Sequence, residues 1–237
     1  MPLVVRTWNV FHGNAVPPER RDFLEEMVRL VTADGPDVVC LQEVPVWALR
    51  HLAEWSGMAA LGAVSARPRL WSADLGRLIT EVHHGLLRSA LTGQANAILL
   101  ARALRVRQER TLVLSRSGER RVCQAVRVAD VGLVGNVHVT GGLVADEQFL
   151  RAAAFVDALA EPGEPVILAG DANIVPGIGE AYGELEQWGF STPLAGSIDQ
   201  ILVRGAPSTP PEAWPEERRR VGGRLLSDHA PIELRVG

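Results

Sequence analysis

Short segments rich in β-branched and other apolar residues recur along the whole chain, and each has the pattern of a buried or half-buried strand. They cover residues 4–10, 37–41, 97–100, 111–114, 122–128, 131–139, 166–169, 198–203 and 230–236. Helical spacing of apolar residues is found in residues 45–55, 73–90, 144–160 and 180–188. A further helix is predicted to open at residues 17–19, where two prolines precede a glutamate. This mixture of strands and helices predicts an α/β or α+β layered domain.

The length and composition indicate one folded unit. The chain has 237 residues, of which 47% are hydrophobic, so it can bury a large core and is too apolar to be disordered. No repeat or linker divides the sequence, and we predict a single domain over residues 1–237 with a helical insertion at about 45–94. Residues 205–223, rich in proline and arginine, form a long predicted loop, a kind of segment that often has a function.

Charge and cysteine content say more about the cellular compartment of the protein than about its activity. The formal net charge is −4, which neither identifies nor excludes a nucleic-acid-binding protein. Cys40 and Cys123 lie inside apolar runs without zinc-type spacing, so we predict buried free thiols in a reducing compartment. The first residues lack the pattern of a secretion signal, and no apolar run approaches the length of a membrane span. We therefore expect a cytoplasmic protein, and we expect a monomer.

Polar side chains recur where the predicted strands begin or end. They are Asn9, Glu43, Asn136, His138, Asp171, Asn173, Asp199, Asp228 and His229. Rigid scaffolds hold catalytic groups at such positions. Each residue also has an ordinary interpretation, because Asp and Asn favour turns and a single histidine such as His138 is more often part of a core. Taken one at a time, these residues leave the choice between turn and active site open.

A series of motifs occurs in order along the chain: TWNV, LQEV, NAILLAR, NVHV, GDAN, IDQILV and SDHAPI. The series resembles the endonuclease/exonuclease/phosphatase superfamily, which includes DNase I-like nucleases, AP endonucleases, inositol polyphosphate phosphatases and sphingomyelinases. The resemblance runs from Thr7 to Ile232, and GDAN and SDH are its most specific parts. It implies an α/β fold of four layers, in which two mixed β-sheets flanked by helices lie face to face and the site lies at one edge.

The resemblance also implies a magnesium site and a histidine that is oriented by an acid. Glu43 is the first candidate ligand for Mg²⁺, with Asp228 supporting the metal and Asn9 adding a neutral oxygen, because Mg²⁺ prefers oxygen ligands. Mn²⁺ is expected to substitute. The resemblance pairs Asp199 with His229, which would act as general base or as a protonated donor to the phosphate.

Further residues take roles around the phosphate. His138 would be the second histidine, Asp171 would position or deprotonate the attacking water, and Asn173 would donate to a phosphate oxygen. Asn96 and Asn136 are predicted to contact the substrate. We expect direct attack by water without a covalent intermediate. Relatives support the second histidine with an acid or a tyrosine, and this sequence has no clear equivalent, although Glu81 is a candidate.

The substrate is the least determined property. Hydrolysis of phosphodiester bonds in DNA or RNA is our leading hypothesis, and it needs a basic surface beside the site. The candidate residues are Arg67, Arg69, Arg102, Arg105, Arg107, Arg218, Arg219, Arg220 and Arg224, with Trp71 and Trp214 as stacking platforms for bases. These arginines could equally be a solvated surface and the tryptophans packing.

Two other classes of function compete with a nuclease. One is a phosphatase or phosphodiesterase acting on a small molecule or a lipid headgroup, with the 45–94 segment covering a compact pocket. The sequence that follows GDAN, Ile-Val-Pro-Gly, differs from the arginine-rich continuation of inositol phosphatases. The other is a non-catalytic binding protein, against which the complete set of charged motif residues argues.

Overall fold

The computed structural model describes residues 2–68, 92–115 and 118–237. Its strands are β1 (Leu3–Asn9), β2 (Ala15–Val16), β3 (Val38–Val44), β4 (Ala59–Ala66), β5 (Gln94–Leu100), β6 (Val106–Val113), β7 (Val122–Val128), β8 (Gly132–His138), β9 (Val166–Asp171), β10 (Asp199–Arg204), β11 (Glu212–Ala213), β12 (Arg220–Val221), β13 (Arg224–Leu226) and β14 (Ile232–Val236). Its α-helices are α1 (Leu24–Thr32), α2 (Leu52–Ser56), α3 (Ala145–Leu159) and α4 (Ala181–Gln187), and 3-10 turns cover Phe11–Gly13, Val46–Arg50 and Glu216–Arg219. None of these helices combines the length and the apolar character that crossing a membrane would require.

The strands form two large mixed sheets, as the sequence predicts for an α/β fold. The first sheet has the order β11-β14-β1-β3-β5-β4, with β1 and β3 parallel. The second sheet has the order β10-β9-β8-β7-β6, with β8 and β9 parallel. The strands β12, β13 and β2 form a small third sheet.

Apolar side chains divide the domain into four layers. Val5 and Ile98 of the first sheet pack against Val134, Ile167 and Ile201 of the second, so the two sheets lie face to face. The other face of the first sheet packs on α1 and α2, and the other face of the second packs on α3 and α4. The two cysteines are buried and free, as predicted.

The strand directions bring the chemically active residues to one edge of the sandwich. The parallel strands β1 and β3 end at this edge, and so do the parallel strands β8 and β9. Their antiparallel neighbours β5, β7, β10 and β14 begin there. We call this the active edge. It therefore receives side chains from both large sheets.

Part of the predicted helical insertion at 45–94 is a strand. Residues 59–66 form β4, an edge strand that pairs with β5 in the first sheet. The reason is packing: Gly62 leaves room for Leu49, whose side chain would lie within 3.0 Å of any Cβ at position 62. The 45–55 segment is helical as predicted, in two short pieces. The predicted helix at 73–90 lies outside the described residues, as do Glu81, Arg69 and Trp71.

Two other predicted boundaries are also corrected. The first helix begins at Leu24 rather than at the prolines, and just before it the Asp22 carboxylate accepts a hydrogen bond from the Leu24 N–H at 3.3 Å. The predicted loop at 205–223 contains β11, a 3-10 turn and β12, which pairs with β13 in a hairpin. This hairpin lies directly before the Ser-Asp-His motif.

Candidate active site

The predicted residues from the two sheets meet at the active edge. The Asn9 Nδ2 atom, at the end of β1, donates to Asp171 Oδ2 at 2.9 Å and to Glu43 Oε1 at 3.2 Å. On the other side of Asp171, the His229 Nε2 atom lies 4.0 Å from Oδ2. These distances place one amide, two carboxylates and a histidine in a single cluster.

Unusual backbone conformations are concentrated at this edge. Phe11, His12, Glu43, Asn173 and Ser227 all have positive φ angles, between 46° and 59°. Residues with a Cβ atom rarely adopt this left-handed region, which costs of the order of 1–3 kcal/mol for each residue. Such a cost is tolerated where it aims a functional side chain, and Glu43 and Asn173 are both predicted site residues.

The Gly-Asp-Ala-Asn motif turns at the end of β9 and holds the Asp171 carboxylate from two sides. Oδ1 accepts a hydrogen bond from the Asn173 N–H at 3.0 Å, while Oδ2 accepts the bond from Asn9. Asp171 is 1% exposed, and this burial, together with the charge of Asp199, raises its pKa to about 7. A buried carboxylate with a pKa near neutrality is suited to exchange protons during a reaction.

His229 and Asp199 form the predicted pair. The Nδ1 atom of His229 lies 2.7 Å from Asp199 Oδ2. Burial alone lowers the pKa of His229, but the hydrogen bond to Asp199 and the charges of Asp199, Asp171 and Asp228 outweigh it and raise the pKa to about 9. The ring is therefore an imidazolium at neutral pH, and its Nε2 atom lies 4.0 Å from Asp171 Oδ2 and 3.9 Å from Asp228 Oδ1.

Hydrogen bonds between side chains and backbone groups fix the loop that carries His229. The Ser227 hydroxyl donates to the Asn9 carbonyl at 2.7 Å and accepts from the His229 N–H at 3.1 Å. The Trp8 indole N–H donates to the His229 carbonyl at 2.9 Å. These bonds tie the Ser-Asp-His motif to the end of β1.

Arg219 holds the same loop from the opposite side. Its Nη1 atom lies within 3.2 Å of the carbonyl oxygens of Leu226, Ser227 and His229. Arg219 is only 7% exposed. The prediction that this arginine grips flanking phosphates is therefore wrong, because its guanidinium is turned into the protein.

We predict that Arg219→Lys destabilises the protein by ~1–3 kcal/mol, since the lysine side chain is shorter and its flexible ammonium lacks the preorganised planar geometry with which the guanidinium reaches the three buried carbonyls. The same change should lower kcat, because the loop also carries His229. Urea unfolding and steady-state kinetics measure the two effects. Arg220→Lys is the matched control, as Arg220 is exposed and paired with Glu216. Equal effects of the two substitutions would contradict the role given to Arg219.

His138 lies at the end of β8 with both ring nitrogens in contact with protein groups. Its Nε2 atom is 3.5 Å from Asp171 Oδ2 and 3.8 Å from Glu43 Oε1, while its Nδ1 atom is 2.8 Å from Arg121 Nη1. Burial and the charge of Arg121 hold the pKa of His138 well below its usual value. The two histidines thus differ: His229 is charged at neutral pH and His138 is not.

The Glu43 carboxylate contacts three other side chains of the site. Its Oε2 atom lies 3.3 Å from His12 Nε2, in addition to the contacts of Oε1 with Asn9 and His138. Burial raises the pKa of Glu43, and the nearby charge of Asp228 raises it further, against the effects of Asn9, Arg121 and His229. No arginine or lysine among the described residues makes an ion pair with this carboxylate.

Two groups of donors could hold a metal ion. The first is the pair predicted from the sequence, Glu43 and the half-exposed Asp228, which the structure links through the interaction of their charges. Asp171, Asp199 and His229 form the second, with one donor atom of each within 4.8 Å of the others. In the second group, the His229 Nδ1 atom is already bonded to Asp199.

Three of the predicted roles do not match the geometry. Asn9 was predicted to give a neutral oxygen to the metal, but its Oδ1 atom accepts from the Phe11 N–H at 3.0 Å and its Nδ2 atom faces the carboxylates. Asn136, predicted to contact the substrate, is completely buried, and its amide is bonded to Gln42, Leu41 and Ala97.

Asn96 is the third such residue. It is 1% exposed, and its Nδ2 atom donates to the carbonyls of Val122 and Asn136. Asn96 and Asn136 therefore cross-link the sheets behind the site instead of contacting the substrate. Asn173 is partly exposed, and its Nδ2 atom donates a hydrogen bond to the Val139 carbonyl at 3.1 Å.

Three residues at the site were not predicted. His12 follows the TWNV motif closely, and its position is the one signal in the sequence that could have indicated it. Gln94 and Arg121 lie at the beginnings of β5 and β7, and they reach the active edge only because both strands run antiparallel to their neighbours. Strand direction is a tertiary property, so local pattern did not indicate these two.

Several arginines predicted to lie beside the site are far from it. β5 and β7 both run away from the active edge, and Arg102, Arg105 and Arg107 lie at their far ends. Each strand has seven residues, so the separation is ~20 Å. These three arginines therefore cannot contact phosphates that flank a scissile bond at the active edge.

The remaining candidates for a nucleic-acid surface are mostly engaged. Arg218 pairs with Asp34 at 2.8 Å, and Arg224 pairs with Glu19 at 2.7 Å. Trp214 is 4% exposed and is covered by Arg218 at 3.5 Å, so of the two alternatives it is a packing residue and not a stacking platform for bases. Among the described candidates, Arg67 is exposed, and its position does not argue against a contact with nucleic acid.

Comparison with solved structures identifies the fold class. An endonuclease/exonuclease/phosphatase from Beutenbergia cavernae DSM 12333 matches with a TM-score of 0.70 and 18% identity over 100% of this chain and 72% of that chain. A mannosyl-6-phosphatase from Bacteroides thetaiotaomicron VPI-5482 matches with a TM-score of 0.71 and 16% identity over 99% of both chains. TDP2 from Caenorhabditis elegans matches with a TM-score of 0.62 and 18% identity over 100% of this chain and 74% of that chain. Identities this low show a common fold alone.

The sequence itself then gives the family. The chain belongs to the Endonuclease/Exonuclease/phosphatase family, whose model matches residues 7–229. Membership supports hydrolysis of phosphoester bonds and confirms the resemblance seen in the motifs. No curated protein matches the chain.

Proposed function

We propose that this protein hydrolyses phosphate esters by direct attack of water, with a divalent cation bound by Glu43 and Asp228. The observation that carries the proposal is the gap between Asp171 and the His229–Asp199 pair. The His229 Nε2 atom is 4.0 Å from Asp171 Oδ2, too far for a direct hydrogen bond. A water molecule beside this gap could accept a hydrogen bond from the His229 Nε2–H and donate one to Asp171 Oδ2, as attack assisted by a general base requires.

The donor set at Glu43 fits a hard cation. Burial and a second carboxylate raise the pKa of Glu43, so a bound cation would stabilise its ionised form. Mg²⁺ accepts one or two carboxylates and keeps several waters, and we expect Mn²⁺ to replace it. When bound, the cation would polarise a phosphoryl oxygen. We prefer Glu43 and Asp228 to the group that includes Asp199, because a metal there would compete with the 2.7 Å bond between Asp199 and His229.

The protein groups divide the proton chemistry between them. Asp171 is our candidate general base, because a pKa near 7 lets it take a proton from water at neutral pH. His229 donates from Nε2 to a phosphate oxygen, and Asp199 holds its ring and its charge. Asn173 donates its remaining amide hydrogen to the phosphate.

We further propose a compact phosphate ester as the substrate, in place of the DNA or RNA of the leading sequence hypothesis. The proposal is supported by the position of Arg102, Arg105 and Arg107 at the far ends of their strands and by the ion pairs of Arg218 and Arg224. A protein that grips several phosphates needs cations along its surface. The mannosyl-6-phosphatase similarity adds a sugar phosphate to the substrates worth testing. The buried free thiols support the expectation of a cytoplasmic protein, and we propose a monomer.

One panel of substrates tests the reaction and the substrate together. The purified protein would be assayed with Mg²⁺, Mn²⁺ and EDTA against sugar phosphates, bis-p-nitrophenyl phosphate, p-nitrophenyl phosphate, plasmid DNA, single-stranded DNA and RNA. We expect turnover of at least one small ester that EDTA abolishes. Turnover of nucleic acid alone would restore the nuclease hypothesis. Full activity in EDTA would reject the cation.

Glu43→Gln tests the metal position directly. The substitution keeps the shape but removes the charge, so we expect binding of Mn²⁺ to weaken at least ~10-fold, as measured by titration calorimetry, and kcat to fall. Glu54→Gln is the matched control, because Glu54 is exposed on α2. Unchanged Mn²⁺ affinity in Glu43→Gln together with loss of affinity in Asp199→Asn would place the cation in the other donor group.

A further inference from the structure

Arg121 makes a contact behind His138 that the reaction described above does not use. Its Nη1 atom lies 2.8 Å from His138 Nδ1, on the side of the ring that faces away from Asp171 and Glu43. Arg121 is 9% exposed and directly precedes β7, so its side chain projects inward from the start of that strand.

The guanidinium is held in place by two further residues. Its Nη2 atom pairs with Glu119 Oε2 at 2.9 Å, and its backbone N–H donates to the Ser115 hydroxyl at 3.0 Å. Hydrogen bonding orients the Gln94 amide with its oxygen 2.9 Å from Arg121 Nη1 and its nitrogen 2.8 Å from Glu119 Oε1. The result is a closed network of an arginine, a glutamate and a glutamine behind the histidine ring.

This network determines which ring nitrogen carries the proton. A guanidinium has N–H donors and no acceptor, so the Nδ1 atom of His138 must accept from it. The one proton of the ring is then on Nε2, which faces Asp171 Oδ2 at 3.5 Å and Glu43 Oε1 at 3.8 Å. A proton on Nδ1 could bond to the Gln94 oxygen 3.2 Å away, but it would point toward a cation at 2.8 Å.

We propose that Arg121 is a positioning residue that fixes His138 as its Nε2–H tautomer and so aims a hydrogen-bond donor at the phosphoryl group. The phosphoryl position beside Glu43 and Asp171 rests on the proposed function; the tautomer does not. An arginine in this place makes His138 a fixed donor, whereas a carboxylate behind the ring would favour a proton on Nδ1.

Nuclear magnetic resonance of the histidine ring nitrogens tests the tautomer in the metal-free protein without substrate. Two-bond ¹H–¹⁵N correlations at pH 7.5 should show an unprotonated Nδ1 and a protonated Nε2 for His138, with the signal assigned by its loss in His138→Gln. Arg121→Met should remove this preference and give exchange between tautomers. Arg110→Met is the matched control, because Arg110 is exposed on the edge strand β6.

Kinetics provide the second readout. Arg121→Met should lower kcat by about 10- to 100-fold, and Arg121→Lys, which can still donate to Nδ1, should recover part of the loss. A protonated Nδ1 in the wild-type protein would overturn the proposal even if Arg121→Met failed to fold. A folded Arg121→Met with the wild-type tautomer would overturn it as well. A protein that hydrolyses no phosphate ester but shows the expected tautomer would reject the proposed function and leave this inference standing.

Discussion

Asp171→Asn is expected to lower kcat by two to four orders of magnitude, the range that a positioned general base contributes. The asparagine keeps the size of the side chain but cannot accept a proton from water. In Asp171, Oδ2 accepts a hydrogen bond from Asn9 and Oδ1 accepts one from the Asn173 N–H. The NH₂ group of the asparagine replaces one of these two acceptors. Steady-state kinetics with the best ester from the substrate panel measure the loss.

Asp130→Asn is the matched control for this substitution. Asp130 lies near the far end of β7, and its positive φ of 63° is one that asparagine also tolerates. We expect wild-type kinetics from this variant. A loss below tenfold in Asp171→Asn would assign the base to another group.

The pH dependence of stability gives a second test of the same carboxyl group. Its pKa is raised from the ordinary value near 4 to about 7, so the folded state binds a proton over this range that the unfolded state releases. The stabilisation is present at low pH and is lost as the pH rises through about 7. In EDTA, the melting temperature of the wild-type protein should fall between pH 5 and pH 8 more than that of Asp171→Asn. An equal or larger fall in the variant would contradict the raised pKa.

The sequence predicts those features of the fold that depend on local pattern. Strands such as β7 and β8 follow from runs of Val, Leu and Ala, and their predicted bounds differ little from those in the structure. β4 was missed because Ala59–Ala66 contains small residues, whose position in an edge strand is set by packing against the neighbouring turn. The first helix was placed too early because the prolines were taken as its start signal.

The site was predictable where residues form part of a motif. Glu43, Asp171, Asp199 and His229 meet at the active edge, and the motif order alone led to all four. The residues that orient them were harder to find. Arg219 is part of a run of charged residues that the sequence suggests is exposed, but it ends the 3-10 turn Glu216–Arg219 and is buried there.

Amide side chains gave the opposite error. Asn9 and Asn136 were given contacts with metal or substrate because they stand at the same strand ends as the catalytic groups, and Asn96 because it matches a strand position that often faces substrate in the family it resembles. All three are buried and bonded to protein atoms. Residue type and strand end together predict where a residue lies in the fold. Only the strand pairing shows whether its side chain faces the open edge or the neighbouring sheet.

Gly170→Ala is expected to have the largest effect on stability of any Gly→Ala change among the described residues, ~4 kcal/mol or more, which is enough to unfold many domains of this size. Gly170 has a φ of 139°, and a Cβ atom there would lie 1.9 Å from the Val137 carbonyl oxygen. Because that carbonyl belongs to the neighbouring strand β8, the clash cannot be relieved by a side-chain rotation. Either β9 separates from β8, or the peptide at Gly170 adopts another conformation. Urea unfolding, or soluble yield where folding fails, measures the effect.

Gly163→Ala separates strain from collision. Gly163 has a φ of 77° and no atom within 4 Å of an added Cβ, so the control should cost only the ~1–2 kcal/mol of a left-handed residue. A similar loss in both variants would mean that β8 and β9 can move apart cheaply. Any Gly170→Ala protein that does fold should also have reduced activity, because β9 pairs His138 with Asp171 across the same two strands. A glycine is thus needed at position 170 for a structural reason that is independent of the Asp171 carboxylate. It allows β8 and β9 to approach closely enough for Asp171 to reach Asn9 and His138.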